Sequence, residues 1–198
     1  FLTGPDASAH RDNIYDYATN NKYDILMEIA PSIKNGLFNI NIEDLINKGY
    51  TIDAHVLAVS KLNSALSIHE RYEGQIEAEL PTPKLTDLDR HNESFQALND
   101  IIKNLQNDKR IGINIYKRAK KYTQMPELIF PREGNNKYSC PYQALLESQQ
   151  ADYKNTISQF NDRYSTILEQ MDRRDAPQDQ YNQLSKIKEE YSQDLTHC

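Results

Sequence analysis

The residue types that could support catalysis or metal binding are scattered along the sequence. Two of the five histidines lie among acids, in HERYE at positions 69–73 and in TDLDRH at positions 86–91. The first stretch lacks the second histidine of a zinc-protease signature, and the second lacks the glycine turn and the later glutamate of a calcium loop. We therefore interpret His69 as a packed or solvated side chain and Asp87 as the N-cap of a helix. No metal site is predicted.

Neither a nucleophile with its base nor a phosphate-binding loop is apparent. The six glycines are dispersed, so the sequence has no glycine-rich phosphate loop and no nucleophile elbow. Cys140 and Cys198 lie far apart without metal-type spacing, and neither has a defined base beside it. This use of cysteine indicates a reducing compartment, and we expect a cytoplasmic location. We predict no catalytic residues and no cofactor.

One segment of the chain is strongly basic, although the chain as a whole is acidic. Between positions 103 and 122, seven lysines and arginines stand against the single acid Asp108, although the whole chain has a formal net charge of -6. Within this segment we predict a helix with a basic face, which would bind an acidic protein partner or an anionic membrane, and with an apolar face made of Ile111, Ile115, Ala119 and Tyr122. The acidic remainder of the chain argues against nucleic acid. The predicted binding residues are Arg110, Lys117, Arg118, Lys120 and Lys121.

The elements that would position these residues are predicted to be helices. Apolar residues recur at helical spacing through nearly the whole chain, and the mean hydropathy of -0.80 is typical of helices that are wet on one side. No apolar run is long enough to cross a membrane. Pro81 and Pro83 interrupt the pattern, so we predict a boundary between a helical region at 1–80 and a second one at 84–198.

In the second region, positions 142–174 contain neither glycine nor proline. We predict one long helix there, with a coiled-coil-like apolar seam, and another helix after Pro177. The two helices should form a hairpin, seam on seam, within one chain. The alternative is that the same seam pairs two chains in a homodimer. One short extended piece is expected at 128–130.

Two stretches resemble the two-helix unit of an ankyrin repeat. They are IYDYATNNKYDILMEIA, within residues 13–30, and HVLAVSKLNSALSIHERYEG, within residues 53–74. Each reads as an apolar first helix with an alanine, a short polar turn and an apolar second helix. Ala18 and Ala58 would let stacked helices approach closely. The resemblance implies an all-α fold, with ankyrin-like helix pairs followed by a helical bundle that ends in the long hairpin.

These predictions together favour a non-catalytic protein–protein interaction module. The ankyrin resemblance makes a host-directed bacterial effector, acting in the host cytosol, its natural setting. Two alternatives stay open. One is a peripheral membrane-binding domain that uses the basic helix, and the other is a fragment of a helical enzyme, because catalytic residues need not be contiguous in sequence.

Overall fold

The computed structural model describes residues 4–31, 41–119, 123–134 and 137–195. Within these ranges three strands lie among eight helices. In chain order they are α1 (Gly4–Asn20), α2 (Ile42–Asn47), β1 (Ile52–Ala58), α3 (Lys61–Glu77), α4 (Leu88–Leu105), β2 (Ile111–Lys117), β3 (Glu127–Phe130), α5 (Pro141–Ser158), α6 (Phe160–Arg173), α7 (Gln178–Glu190) and α8 (Ser192–Leu195).

The three strands form one mixed sheet in the order β1-β2-β3. Strands β1 and β2 are parallel, with Ile52 opposite Ile111 and Ala58 opposite Lys117. Strand β3 is antiparallel to β2. Parallel neighbours need a long crossover, and α3 and α4 supply it between β1 and β2. The carboxyl ends of β1 and β2 therefore lie side by side.

One face of the sheet packs against helices and the other faces solvent. Strand β1 alternates strictly, so that Val56 and Ala58 are buried while His55 and Leu57 are exposed. The buried face meets Ile102 of α4 and Leu145 of α5 in a continuous apolar cluster. Such alternation is what a sheet covered on one side requires.

A second apolar cluster lies among the helices. Helices α6 and α7 both pack on α3, so α3 is the centre of this cluster. The burial of several large side chains supplies most of the stability that the helices lack on their own. The buried members are Leu62, Ala65, Leu66, Leu88, Phe160, Ile167, Met171, Leu184 and Ile187.

The predicted all-α fold is wrong. Residues 53–59 and 111–122 were both expected to be helical, but β1 and β2 occupy most of these stretches. Ile111 and Ile115 are four residues apart, which fits one face of a helix, yet Ile113 between them is buried as well, which fits only a strand. Strands β1 and β2 stabilise each other although they are more than fifty residues apart in sequence. The spacing of apolar residues within one stretch cannot reveal such a distant partner.

The ankyrin-like helix pairs are absent from the described residues. After α1 ends at Asn20, residues 23–31 form no helix, and in the second stretch the first half is β1 rather than a helix. The alanine that was expected to let helices approach, Ala58, instead ends a strand and is buried in the sheet cluster. The short extended piece expected at 128–130 is confirmed as part of β3.

The predicted long helix at 142–174 is two helices, because α5 ends at Ser158 and α6 begins at Phe160, with Gln159 as the cap residue between them. The hydroxyl of Thr156 donates to the carbonyl of Asp152 at 2.8 Å, and that of Ser158 donates to the carbonyl of Asn155 at 2.8 Å. Hydroxyls that compete for helix carbonyls weaken and bend a helix. The coiled-coil seam is wrong as well, since the apolar stripe of α6 packs on α3.

The predicted division between residues 1–80 and 84–198 stays a prediction, although strands from both sides of it share one sheet. A homodimer through the C-terminal stripe also stays a prediction. Among the helices described, none has the length and apolar composition needed to cross a membrane.

Substitution of Phe160 by alanine should lower the free energy of unfolding by about 3–5 kcal/mol, because the side chain is only 1% exposed and stacks on Tyr164 with ring centroids 5.4 Å apart. Urea unfolding followed by circular dichroism measures the loss. Leu26→Ala is the control, since Leu26 is 96% exposed and its truncation should change stability by less than about 0.5 kcal/mol. A loss for Phe160→Ala as small as the control would contradict the packing described for α6.

Candidate functional site at the carboxyl ends of the parallel strands

A cluster of polar side chains lies where β1 and β2 end. In folds with parallel strands, ligands bind outside the carboxyl ends of those strands, so this edge is where a ligand-binding site is expected. The cluster draws its members from α3, from the segment after β2, and from α5 and α6. We call it the carboxyl-edge cluster, and it consists of Ser60, Asn63, Ser67, Glu70, Arg118, Asp152 and Arg163.

Asp152 of α5 fixes the start of α3. One carboxylate oxygen accepts hydrogen bonds from the backbone amide and the hydroxyl of Ser60, both at 2.7 Å. The side-chain amide of Asn63 donates to both carboxylate oxygens, at 2.9 and 3.1 Å. Ser60 is also the N-cap of α3, because its hydroxyl oxygen accepts from the backbone amide of Asn63 at 3.2 Å. Four donated bonds therefore hold the carboxylate of Asp152 in one orientation.

Arg163 of α6 is held almost as firmly. Its guanidinium donates to both oxygens of Glu70, at 2.6 and 2.8 Å. It also donates to the side-chain oxygen of Asn63 at 2.9 Å and to the hydroxyl oxygen of Ser67 at 3.3 Å. A two-pronged pair of this kind combines charge with fixed geometry. The side chain of Arg163 is only 19% exposed, whereas that of its partner Glu70 is 37% exposed, so the pair is partly shielded from water.

Arg118 reaches the same serine from the other side. It follows β2 directly, and its guanidinium donates to the hydroxyl oxygen of Ser67 at 2.8 Å. The side chain is exposed, and within the described residues no carboxylate forms an ion pair with it. Two guanidinium groups therefore meet at one hydroxyl oxygen.

The structure separates the basic residues that the sequence groups together. Arg110 precedes β2 and pairs with Glu43 and Asp108, which lowers the pKa of Asp108 to about 2. Lys117 is the last residue of β2, and its Nζ lies 3.8 Å from Oε2 of Glu127. The length of the strand puts the backbones of Arg110 and Lys117 about 20 Å apart. The basic helix is therefore wrong, because Ile111–Lys117 of this segment form the strand β2.

The binding role of these residues stays a prediction. Of the five, Arg118 is the one that joins the carboxyl-edge cluster, while Lys120 and Lys121 lie outside the described residues. Sequence reasoning did not find Asp152 or Arg163, which lie about ninety residues beyond the α3 side chains they bind. Nothing in their local sequence signals this role, because both are ordinary polar residues on helical surfaces.

A second polar layer lies deeper on α3. Glu73 is 2% exposed and accepts two hydrogen bonds from Arg174, both at 2.7 Å, while the guanidinium of Arg174 also stacks over the ring of Tyr72. His69 is 1% exposed, and its Nε2 lies 3.4 Å from the side-chain nitrogen of Gln183. Within the described part of the chain, its Nδ1 has no partner.

Burial lowers the pKa of His69 to about 4, with the nearby charge of Glu73 opposing that shift and Arg174 adding to it. His69 is therefore neutral at pH 7, which confirms the interpretation of a packed histidine. The N-cap expected at Asp87 is also confirmed, because its side chain accepts from the backbone amide of Arg90 at 2.9 Å.

The fold and the site together define a class. A parallel strand pair is joined by a helical crossover and covered by helices on one face, and polar groups are concentrated at the carboxyl ends of its strands. These are the features of an α/β protein that binds its ligand at that edge.

The model of the family described as Zeta toxin matches residues 1–125, and the chain belongs to that family, which is P-loop kinase-like. No curated protein and no solved structure gives a significant match. The ankyrin resemblance is therefore wrong. The predicted non-catalytic interaction module of an effector is wrong too, because a kinase-like family indicates catalysis. Neither alternative fits better, since β2 takes the place of the predicted basic helix at residues 111–117 and the described residues include three strands, unlike a helical enzyme fragment.

The stability of the fold should depend on the ionisation of His69. Because its pKa is lower in the folded chain than in the unfolded chain, the unfolded state alone takes up a proton between about pH 6.5 and pH 4. The free energy of unfolding should therefore fall as the pH decreases through that window, by about 2 kcal/mol between pH 7 and pH 5.

Urea unfolding of the parent chain and of His69→Gln at both pH values isolates this contribution from that of the carboxylates. The variant should lose the His69 share of the pH dependence, whereas His55→Gln, at an exposed position on the sheet, should keep it. Equal pH dependence in the parent and in His69→Gln would refute the assignment.

Proposed function

We propose that this chain is part of a kinase-like toxin that transfers a phosphoryl group, and that its carboxyl-edge cluster faces the phosphate-bearing reactants. The observation that carries the proposal is the position of this cluster. It lies at the carboxyl ends of two parallel strands in a chain of the Zeta toxin family, and it includes two guanidinium groups. Phosphoryl transfer depends mainly on positioning and on stabilisation of negative charge, and arginine side chains supply both.

The chain's own residues divide this work. Asp152 and Ser60 fix the start of α3 against α5, so that the polar face of α3 stays at the end of β1. Glu70 and Asn63 hold the guanidinium of Arg163 in a fixed orientation. Because that orientation exists before a reactant binds, the arginine need not rearrange when the reactant arrives. Arg118 adds a second positive charge from the end of β2.

P-loop kinase-like proteins hold nucleotide phosphates in a glycine-rich loop beside a magnesium ion. The 198 residues contain no such loop, and within the described residues no group of three histidine, cysteine, aspartate or glutamate side chains could hold a metal ion. These residues therefore do not fit a phosphate loop or its ion, and the roles of Arg118 and Arg163 require neither.

The proposal includes a cytoplasmic location. A phosphoryl-transferring toxin needs a nucleoside triphosphate, which the cytoplasm supplies. The two cysteines, which have no disulfide framework around them, agree with a reducing compartment.

Expression of the polypeptide that carries this chain should arrest bacterial growth, and Arg118→Gln should relieve the arrest. The control Arg173→Gln removes another guanidinium of α6, about 15 Å along the helix from Arg163, where it is 69% exposed. The control should stay toxic. Growth curves after induction measure the outcome.

The purified polypeptide should also transfer label from γ-labelled ATP to an acceptor in a bacterial metabolite extract, and thin-layer chromatography separates that product from inorganic phosphate. Loss of activity in Arg118→Gln should be at least tenfold, since a hydrogen bond to a charged group contributes about 1.5–3 kcal/mol. Absence of both growth arrest and labelled product would contradict the proposal.

A further inference from the structure

A cavity of about 300 Å³ lies along the free edge of β1. Residues 51–56 line it one after another. Because successive side chains of a strand point to opposite faces, a cavity on one face of the sheet would meet only alternate residues. The cavity therefore borders the edge of β1 that β2 leaves free.

The opposite wall of the cavity is formed by residues 24–31, which are neither helix nor strand. Every second side chain of this segment is partly or fully buried and those between them are exposed, an alternation that is typical of a strand with one covered face. Ile25, Leu26 and Met27 line the cavity in succession, as residues 51–56 do. The segment therefore also presents its edge to the cavity.

Both walls have unpaired backbone groups. In the described part of the chain β1 is paired with β2 alone, and no backbone amide or carbonyl of residues 24–31 has a hydrogen-bond partner. The hydroxyl of Tyr50, two residues before β1, donates to the carbonyl of Tyr23 at 3.1 Å, so both walls begin at the same end of the cavity. Backbone groups beside apolar side chains need partners. Two unpaired backbone edges thus face one cavity.

The floor of the cavity is apolar apart from one hydroxyl. Leu98, Ile101 and Leu105 of α4 line it, on the face of the sheet that packs on helices. Tyr15 of α1 lines it as well, and its hydroxyl is buried without a partner among the described residues. Because buried tyrosine hydroxyls are usually hydrogen-bonded, the cavity fits an occupant that offers polar groups as well as apolar ones.

We propose that this cavity, which we call the β1 slot, accepts one further β-strand from a partner polypeptide. A strand between the two walls pairs its backbone with both of them, and every second side chain enters the apolar space above α4. The partner segment is therefore extended, about as long as the seven residues of β1, and apolar at alternate positions. A second copy of this chain has no free strand to donate, since its three described strands all belong to the sheet.

A synthetic seven-residue peptide of alternating threonine and valine, labelled with a fluorophore, tests the β1 slot in the purified 198-residue chain, and fluorescence anisotropy measures its affinity. Two further peptides carry N-methyl groups on one or the other set of alternate amides. A strand inserted between two partners uses both sets, so each methylated peptide should bind at least tenfold more weakly than the first. Addition to a single edge would leave one methylated peptide unaffected.

Hydrogen exchange followed by mass spectrometry locates the bound peptide. Amides of residues 24–31 and amides of β1 should both exchange at least tenfold more slowly when the peptide is present, because both walls gain backbone hydrogen bonds. Protection of both walls without peptide that increases with the concentration of the chain would identify a second copy as the occupant, which overturns the partner strand.

Ile101→Glu places a charge on the floor of the β1 slot and should weaken peptide binding at least tenfold. Leu128→Glu is the matched control, since it adds the same charge at a 46% exposed position on β3, at the other edge of the sheet, and should bind like the parent. Thermal unfolding verifies that each variant folds.

Absence of binding by the parent chain, equal binding of the three peptides, or protection of β1 alone overturns the β1 slot. A folded Ile101→Glu chain that binds like the parent overturns it as well. If Ile101→Glu does not fold, the methylated peptides decide the outcome on the parent chain. None of these results depends on phosphoryl transfer, so the proposed function is tested separately.

Discussion

The parallel pairing of β1 with β2 is the constraint on which the rest of the structure depends. It joins residues that are 59 apart in sequence, from Ile52 opposite Ile111 to Ala58 opposite Lys117. Closing a loop of that size costs conformational entropy, which the buried aliphatic side chains of both strands offset. Once the strands are paired, their carboxyl ends must lie together. That coincidence brings Arg118, which follows β2, to the α3 side chains that follow β1.

Helix α3 connects the sheet to the second apolar cluster, which lies among the helices. Its apolar side chains Leu62 and Leu66 are fully buried in the helical cluster, while its polar side chains face arginines from α6 and from the segment after it. Glu70 and Glu73 each receive a two-pronged guanidinium, so both acids of HERYE are compensated. Residues beyond 125, where the family match ends, therefore support the helix that carries much of the candidate site.

Much of the helical structure could be predicted from the sequence, because caps and apolar periodicity are local signals. Asp87 and the stripe that follows it predict α4, and Pro177 predicts the start of α7. The strands could not be predicted in this way, since the spacing of Ile111 and Ile115 satisfies helical and strand periods alike. The residues of the candidate site were harder to predict than the strands. Asp152 and Arg163 become site residues only when the fold brings them to α3.

The pairing of charges explains how a chain with a net charge of -6 can be neutral at its candidate site. Its acids are not spread evenly around that site, since Glu70 and Asp152 are bound by partners within the cluster. Coulomb interactions with distant acids are screened over about 8 Å in physiological salt, so an approaching phosphate responds mainly to the nearest unpaired charge. At the carboxyl ends of the parallel strands, neither Arg118 nor Asp152 forms an ion pair within the described residues, so the cluster is neutral as a whole and an anion is attracted to the side on which Arg118 lies.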